Sequence, residues 1–318
     1  MDFYYAPMEG VTGCAYRRVH ARMFPGADRY FAPFIAPDGS GGFKLAMLRD
    51  LLPENNPQGL PTPQLLCNRA EPFLAAARVL AELGYDRVNL NVGCPSSTVV
   101  GKHKGAGMLL DLESLDRCLE EIFSRCPIAV SVKTRMGLAS VSEFPAILEV
   151  YNKYPLAELI IHARDRAGMY KSLPDQAAFR AALPLCRCGV CYNGNIFAPS
   201  DLEGLPGEDQ GLRAVMIGRG AAANPALFRR LKGGKAPELK ELRDFHEALL
   251  EEYLSSGLDG RCAMARLKEL WYYMQDMFPQ SAGAMKAVYK SQRLSDYRSA
   301  VASLFAGGGF SPEGRFRG

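Results

Sequence analysis

Residues 88–107 read VNLNVGCPSSTVVGKHKGAG, and the rest of the chain is best interpreted outward from this stretch. Its first five residues alternate apolar side chains with asparagines, which predicts a short strand. Gly93 and Pro95 then interrupt the strand and hold a thiol, Cys94, between them. The glycine-rich, basic run that follows has no apolar anchor, so we predict a mobile lid beside a reactive cysteine. A cysteine that only packs at a strand end fits the same residues.

Seven further short apolar runs accompany this strand, with helical patterns between them. They cover residues 3–6, 30–34, 64–67, 128–133, 159–162, 190–193 and 214–217. Short apolar strands joined by long connections are typical of a parallel sheet covered by helices. Eight strand–helix units in about 230 residues predict a (β/α)8 TIM barrel. A doubly wound sheet is the alternative, but the first strand is not followed by a Gly-x-Gly-x-x-Gly turn.

Helix signals divide the chain into two regions. Proline at position 72, Asp111 and the pair Asn224-Pro225 each predict the start of a helix in the barrel region. Residues 233–237, GGKAP, predict a linker. Beyond it, only helical patterns appear, over residues 239–254, 261–277, 285–294 and 297–305. We therefore predict a catalytic barrel over residues 1–234 and a small helical bundle over residues 238–318. The glycine-rich tail from residue 307 is predicted to be frayed.

The composition excludes several classes of protein. The chain has 318 residues, of which 48% are hydrophobic and 23% are charged, as is ordinary for globular proteins. No apolar run approaches the length of a membrane span, and the first residues do not form a signal peptide. Nine cysteines without an export signal indicate reduced thiols, so we predict a cytoplasmic protein. The net charge of +4 allows an anionic partner without requiring one.

Polar and charged residues collect at the carboxyl ends of the predicted strands, where TIM barrels carry their active sites. Lys133 closes the apolar run IAVSV, and its burial would be costly without an anionic partner. His162 closes another strand, although a satisfied core histidine fits equally well. The loops after the last two strands, the usual phosphate site, contain residues 193–195 and 218–220. A phosphate, a buried lysine and amide side chains suit flavin mononucleotide (FMN).

Cysteines at positions 186, 188 and 191 have a spacing that resembles half of a zinc site. A complete structural zinc site needs a second pair of Cys or His ligands, and no such pair lies nearby in the sequence. We therefore predict no metal.

Five segments of the chain resemble the bacterial tRNA-dihydrouridine synthases. They are APMEGVT at residues 6–12, NLNVGCP at 89–95, VKTRMG at 132–137, HAR at 162–164 and MIGRG at 216–220. The resemblance covers nearly the whole chain. It implies an FMN-dependent enzyme that uses NADPH to reduce the C5=C6 bond of uridine in tRNA.

The resemblance also implies roles for individual residues. Cys94 would be the proton donor in catalysis. The residues expected to bind FMN are Pro7, Met8, Glu9, Gln64, Lys133, His162, Asn193, Gly194, Asn195, Gly218 and Arg219. The residues expected to face the uridine are Asn91, Arg135 and Arg164.

The helical region carries an excess of positive charge that predicts an RNA surface. Residues 261–318 contain nine Lys or Arg and four Asp or Glu, a net charge of +5. Lys286, Lys290 and Arg293 recur about once per helical turn, and we predict that they contact tRNA phosphates. A solvated helix face is the alternative interpretation. We predict a monomer with neither membrane nor metal partners.

Two other functions fit parts of the sequence. One is a dihydroorotate dehydrogenase-like flavoenzyme that acts on a small pyrimidine, although a small substrate needs no basic helical surface. The other is a non-catalytic RNA-binding protein on a barrel scaffold, although the full set of polar strand ends argues against it.

Overall fold

The computed structural model describes residues 1–38, 42–169 and 171–317 of the chain. Within these residues eight strands form one sheet. The strands are β1 (Asp2–Tyr5), β2 (Arg29–Tyr30), β3 (Gln64–Leu65), β4 (Arg87–Val92), β5 (Ala129–Gly137), β6 (Leu159–Asp165), β7 (Val190–Asn193) and β8 (Leu212–Ile217).

The sheet closes on itself as a barrel. Its strand order is β2-β1-β8-β7-β6-β5-β4-β3, so neighbours in the sequence are neighbours in space. The first and last strands of this order are joined by two parallel bridges, Phe31 with Thr62 and Ile35 with Leu65. The amide of Ile35 donates to the carbonyl of Gln64 at 2.8 Å across this seam. The predicted TIM barrel is confirmed, and the doubly wound alternative is wrong because the strand order never reverses.

Helices lie in the connections between the strands and make up most of the described region after the barrel. They are α1 (Cys14–Met23), α2 (Leu45–Arg49), α3 (Ala70–Glu82), α4 (Ser97–Val100), α5 (Leu112–Arg125), α6 (Phe144–Tyr151), α7 (Gln176–Ala182), α8 (Arg219–Ala223), α9 (Leu227–Leu231), α10 (Leu239–Ser255), α11 (Gly260–Met274), α12 (Ala282–Lys290) and α13 (Leu294–Ala306). Asp111 caps α5 as predicted, because its carboxylate accepts from the amide of Ser114 at 3.0 Å. Helix α9 is shorter than predicted, since the residues before it form a turn. Helices α10 to α13 confirm the helical region.

The described chain divides into two compact units. The first comprises residues 1–7, 29–195 and 204–216. The second comprises residues 8–28, 196–203 and 217–318. The second unit takes in segments that the sequence assigns to the barrel, and the predicted division at residues 234–238 stays a prediction.

The interior of the barrel is apolar on one side and polar on the other. The apolar cluster consists of Tyr4, Ala6, Phe31, Ile160, Cys191, Ala214 and Met216. On the polar side, the Gln64 amide donates to Asn89 at 2.7 Å, and the Asn89 amide donates to the Ser131 hydroxyl at 2.9 Å. Buried amides stabilise a core only when they are hydrogen-bonded in this way. The polar side leads directly to the ends of β3, β4 and β5.

The segment after α13 was predicted to be frayed, and that prediction was wrong. Within the second unit, the amide of Ser311 donates to the carbonyl of Met277 at 2.8 Å. The amide of Arg317 donates to Asp276 at 3.0 Å, and Phe316 is buried. The segment is ordered because its backbone is hydrogen-bonded and the side chain of Phe316 is buried.

Among the described helices, none combines the length and the apolar character that crossing a membrane requires.

Candidate active site

Asn91 shapes the turn that carries Cys94 at the end of β4. The side-chain oxygen of Asn91 accepts from the amides of Gly93 at 3.0 Å and Cys94 at 2.9 Å. Its amide group donates to the side-chain oxygen of Gln64 at 2.8 Å. Both ends of the Asn91 side chain are thus engaged within the first unit. The half-buried Cys94 is therefore held by the strand rather than by a loose loop.

The glycine-rich run packs closely over this turn. The amide of Ala106 donates to the carbonyl of Cys94 at 3.0 Å. Gly105 has φ of +56°, and a Cβ there would lie 2.9 Å from the Cβ of Cys94. Residues 105–109 are buried, whereas residues 101–103 and 110 are exposed. The prediction of an unanchored lid was wrong for residues 105–109, because their small side chains let the backbone pack against Cys94.

Lys133 lies two strands away from its hydrogen-bond partner. Its ammonium donates to the side-chain oxygen of Asn193 at 2.8 Å, and the Asn193 amide donates to the carbonyl of Met216 at 2.8 Å. Burial, with a smaller contribution from the Arg135 charge, lowers the pKa of Lys133 to about 8. A nearby anion would favour the charged form of this amine. The prediction of an anionic partner for Lys133 therefore fits its surroundings.

His162 and Arg164 are held together at the end of β6. The guanidinium of Arg164 approaches the Nε2 atom of His162 at 3.1 Å and donates to the side-chain oxygen of Asn195 at 3.1 Å. Arginine has donors only, so Nε2 of His162 must accept and the ring proton must lie on Nδ1. Arg164 also donates to the carbonyl of Ser172 at 2.9 Å. These contacts fix one tautomer and one orientation of the histidine.

Arg135 is almost completely buried, with 1% of its surface exposed. Its guanidinium donates to the carbonyls of Gly93 at 2.9 Å, Asp165 at 2.7 Å and Met169 at 3.2 Å. It thereby joins the ends of β4, β5 and β6. The predicted contact of Arg135 with uridine stays a prediction, and its position favours a role in fixing the Cys94 turn.

The second unit contains the first-strand loop. The amide of Met8 donates to the hydroxyl of Thr12 at 2.8 Å, and the amide of Thr12 donates to the carbonyl of Met8 at 2.9 Å. Gly10 has φ of +83°, a left-handed conformation that favours glycine. Glu9, which lies between Met8 and Gly10 in the sequence, is exposed. This closed turn fixes the loop that contains Met8 and Glu9.

The second unit also contains the turn after β8. Gly218 precedes α8, and a Cβ at Gly220 would collide with the carbonyl oxygen of Ile196. The guanidinium carbon of Arg219 lies 5.9 Å from the ring centre of Phe197 and 6.0 Å from that of Phe316. Both distances are within the range of a cation–π interaction. The predicted phosphate-binding arginine thus lies beside two aromatic rings.

The predicted site residues fall into both units. The first unit contains Pro7, Gln64, Asn91, Cys94, Lys133, Arg135, His162, Arg164, Asn193, Gly194 and Asn195. The second contains Met8, Glu9, Gly218, Arg219, Lys286, Lys290 and Arg293. Within the second unit, Lys286, Lys290 and Arg293 are exposed on α12 and at the start of α13.

Several residues that shape these sites were missed from the sequence. The alternation of asparagines in β4 could have indicated the Asn89–Gln64–Asn91 network, because side chains at alternate positions of a strand share a face. Neither Phe197 nor Phe316 gave any local signal, since their common partner Arg219 is distant in the sequence.

The described residues contain no group of three or more His, Cys, Asp or Glu placed to hold a metal ion. Burial raises the pKa of Cys186 to about 12 and that of Cys188 to about 11.

Comparisons with solved structures agree with the barrel. A morphinone reductase variant in complex with tetrahydroNAD superposes with a TM-score of 0.51 at 15% identity, over 76% of this chain and 89% of that one. A structure named TcOYE with pHBA gives a TM-score of 0.51 at 11% identity, over 73% of this chain and 88% of that one. At these identities the likeness shows the fold alone.

Comparisons of sequence go further. The family model described as dihydrouridine synthase (Dus) matches residues 4–301. A probable tRNA-dihydrouridine synthase from Rhodobacter capsulatus is 30% identical, over 93% of each chain. The tRNA-dihydrouridine synthase B of Vibrio cholerae is 24% identical, over 92% of this chain and 91% of that one. With nearly every residue inside the matched range, the chain belongs to the dihydrouridine synthase family.

Proposed function

We propose that this protein is a tRNA-dihydrouridine synthase, which uses bound FMN and the reductant NADPH to reduce the C5=C6 bond of uridines in tRNA. The observation that carries the proposal is the placement of Cys94, which Asn91 holds at the end of β4. Cys94 follows β4, and Lys133 lies on the neighbouring strand β5. A half-buried thiol near a desolvated lysine, at the active face of a barrel, is a reactive arrangement.

The residues present fit a flavin mononucleotide. Its flat ring has polar atoms along one edge, and the first unit offers Gln64, Lys133, His162 and Asn193 as polar side chains at strand ends. Burial lowers the pKa of Lys133, so an electron-rich ring edge beside this amine would stabilise its charged form. In the second unit, Arg219 offers planar donors for a phosphate. The other residues that the family resemblance assigns to FMN are Pro7, Gly194 and Asn195 in the first unit, and Met8, Glu9 and Gly218 in the second.

The protein supplies the proton of the reaction. FMN, when bound, would supply the hydride that is added to C6 of the uracil ring. Cys94 would donate its thiol proton to C5. A thiol with an ordinary pKa of ~8.5 is protonated at neutral pH but can still release its proton, whereas a carboxylic acid of pKa ~4 is already ionised.

The remaining residues would orient the base and the RNA. Asn91 and Arg164 would face the uridine, and Arg135 would fix the turn on which Cys94 lies. A uridine in folded RNA must leave its stack to reach a barrel mouth. Lys286, Lys290 and Arg293 would bind tRNA phosphates, because they form an exposed basic surface within the second unit. This surface favours an RNA substrate over the small pyrimidine of a dihydroorotate dehydrogenase-like enzyme.

The proposal is tested with purified protein, FMN, NADPH and tRNA that lacks dihydrouridine. After incubation, the tRNA is digested to nucleosides and dihydrouridine is measured by mass spectrometry. We expect dihydrouridine in tRNA and none in free uridine treated alongside. If the protein binds FMN and oxidises NADPH but reduces no uridine in any tRNA, the proposed substrate is wrong.

A further inference from the structure

The segment of residues 307–317, which we call the strap, lies beyond the range matched by the family, residues 4–301. It is nevertheless attached to the second unit along its length. The amide of Ser311 donates to the carbonyl of Met277 at 2.8 Å, and the side-chain amide of Asn224 donates to the carbonyl of Pro312 at 3.0 Å. Asn224 directly follows α8, so the strap is joined to the helix that begins with Arg219.

The strap ends in an aromatic cluster. Phe316 has 6% of its surface exposed. Its ring centre lies 5.3 Å from that of Tyr272, 5.2 Å from that of Tyr273 and 6.4 Å from that of Phe197. Rings at such separations attract each other beyond their burial. Helix α11 and the loop after β7 therefore fix the position of Phe316.

A second set of contacts joins the strap to the loop that carries Phe197. Arg315 donates to the hydroxyl of Ser200 at 2.8 Å and pairs with the carboxylate of Asp201 at 3.3 Å. The same carboxylate accepts from the backbone amide of Phe197 at 2.7 Å. Asp201 thus connects the backbone of Phe197 with the residue next to Phe316, and the two rings are positioned together.

Arg219 lies beside both of these rings, whose centres are themselves 6.4 Å apart. Its guanidinium carbon is 5.9 Å from the ring centre of Phe197 and 6.0 Å from that of Phe316. Aromatic partners engage the flat faces of a guanidinium, whereas phosphate oxygens engage the N–H groups along its edge. Packing against the two rings is therefore compatible with binding a phosphate, and it reduces the number of conformations that Arg219 can adopt.

We propose that the strap is a positioning element for the cofactor phosphate, in which Phe316 holds Arg219 in the orientation that binds FMN. The inference rests on the proposed function, because it requires the FMN phosphate to lie at Arg219. Phe316 is a positioning residue, since it acts through Arg219. The strap would thereby make the affinity for FMN depend on residues outside the range that the family shares.

The test compares FMN with riboflavin, which has the same ring but no phosphate. Binding to the flavin-free protein is followed by quenching of flavin fluorescence. Phe316→Leu keeps apolar bulk and removes the ring, so we expect the Kd for FMN to rise about threefold to tenfold while the Kd for riboflavin stays unchanged. Phe316→Tyr keeps the ring and should restore FMN affinity. A role in folding alone would change both flavins equally.

Two further variants make the result decisive. Phe310→Leu removes another aromatic ring of the strap, whose centre lies 5.7 Å from that of Phe278. This variant should leave FMN affinity unchanged. Phe197→Leu removes the neighbouring ring, and it should weaken FMN binding as Phe316→Leu does. The inference is overturned if Phe316→Leu leaves the preference for FMN over riboflavin unchanged, whatever the effect of Phe197→Leu.

Arg219→Ala separates failure of the inference from failure of the proposed function. We expect this variant to lose about 10-fold to 100-fold in FMN affinity and nothing in riboflavin affinity. If it does so while Phe316→Leu does not, Arg219 binds the phosphate without help from the strap. If Arg219→Ala binds FMN normally, the phosphate lies elsewhere and the assignment of Arg219 under the proposed function is wrong, as is the inference built on it.

Discussion

Asn91 and Lys133 are register partners on β4 and β5, yet they contribute to the site in different ways. The Asn91 side chain is engaged at both ends by neighbouring residues, so it determines geometry. Lys133 has a neutral amide as partner and a pKa lowered by burial, so an anionic ligand would stabilise its charged form. Both roles follow from where the alternation of a strand places a side chain. Only the role of Lys133 could be suspected from the type of residue.

Lys133 should react as an amine at unusually low pH. Its pKa of about 8, below the ordinary lysine value of ~10.4, means that the neutral nucleophilic form becomes abundant as the pH rises from 7 to 9. We expect acylation of Lys133 in the flavin-free protein to be half-maximal near pH 8, measured by peptide mass spectrometry across a pH series. Above that pH the ammonium is lost, and FMN affinity should fall.

The exposed Lys290 serves as the internal reference for the reagent. Saturating FMN should suppress acylation of Lys133 and leave that of Lys290 unchanged. Acylation of Lys133 that follows the same pH dependence as the bulk of the lysines would contradict the lowered pKa. Acylation that FMN does not suppress would contradict its place in the cofactor site.

The loop after β4 shows how small residues bring two segments together. Gly105 adopts φ of +56° directly against the Cys94 backbone, and residues 105–109 are buried. Local composition indicates exposure here, because the run is rich in glycine and lysine. The structure buries its second half because glycine and alanine leave room for the neighbouring backbone.

Gly105→Ala should displace Cys94 without removing the thiol. The new Cβ would lie 2.9 Å from both the Cβ and the carbonyl oxygen of Cys94, and the left-handed φ adds strain. Misplacing a catalytic group by about 1 Å costs about 100-fold in rate, and we expect a decrease of that order in dihydrouridine formation. FMN affinity, measured by fluorescence quenching, should not change.

Gly101→Ala is the matched control, because Gly101 has φ of −63° and a Cβ there would be only 3.2 Å from its nearest neighbour, the carbonyl oxygen of Ser97. That variant should keep most of the activity. Equal rates for the two variants would show that the position of Cys94 does not depend on Gly105.

Helix α12 and the start of α13 should bind RNA through charge. Reversing Lys286, Lys290 and Arg293 to Glu should weaken tRNA binding, because each phosphate that the protein no longer neutralises keeps its counterions. The slope of log affinity against log salt should fall by about 0.7–0.9 for each such phosphate. Binding is measured by filter retention or anisotropy across a salt series, and reduction of FMN by NADPH should be unaffected.

A control for total charge reverses three exposed cations elsewhere, Arg125, Arg187 and Lys235. This control has the same net charge as the test variant. If both variants bind tRNA equally weakly, the effect is one of overall charge, and the solvated-face interpretation of α12 is preferred.

The alternation of strands and helices could be predicted because both patterns are local. All eight strands overlap the apolar runs that indicate them. However, β2 and β3 end at Tyr30 and Leu65, before the predicted ends, and β5 and β6 extend to Gly137 and Asp165, beyond them. Those extensions contain Arg135 and Arg164, which are buried. A charged residue in sequence suggests a loop, and only tertiary hydrogen bonds to backbone carbonyls make its burial favourable.

The candidate site could be predicted in outline from the strand ends, because a closed parallel barrel brings all carboxyl ends to one face. The strap could not be predicted, because the packing of Phe316 against Arg219 joins residues that are distant in sequence. Glycine-rich composition indicates fraying, yet hydrogen bonds and one buried ring outweigh it. Interactions of this kind are specific to the fold and are invisible to any local window.

The account of the whole reaction depends on Cys94 as the proton donor to uracil. Cys94→Ala should bind FMN, be reduced by NADPH and bind tRNA, because none of these steps needs a thiol. Transfer to uracil should then be slower by a factor of ~10²–10⁴, the usual effect of removing a general acid. Cys94→Ser should hardly restore it, since a hydroxyl is a much weaker acid than a thiol.

The most direct measurement is a single turnover, in which protein reduced beforehand by NADPH is mixed with tRNA and the return of the oxidised absorbance is recorded. We expect rapid reoxidation for the parent protein and reoxidation slowed by at least ~10²-fold for Cys94→Ala. In each protein, dihydrouridine should form at the rate at which the flavin is reoxidised. Reoxidation of Cys94→Ala by tRNA at the parent rate would show that Cys94 only packs at the end of β4.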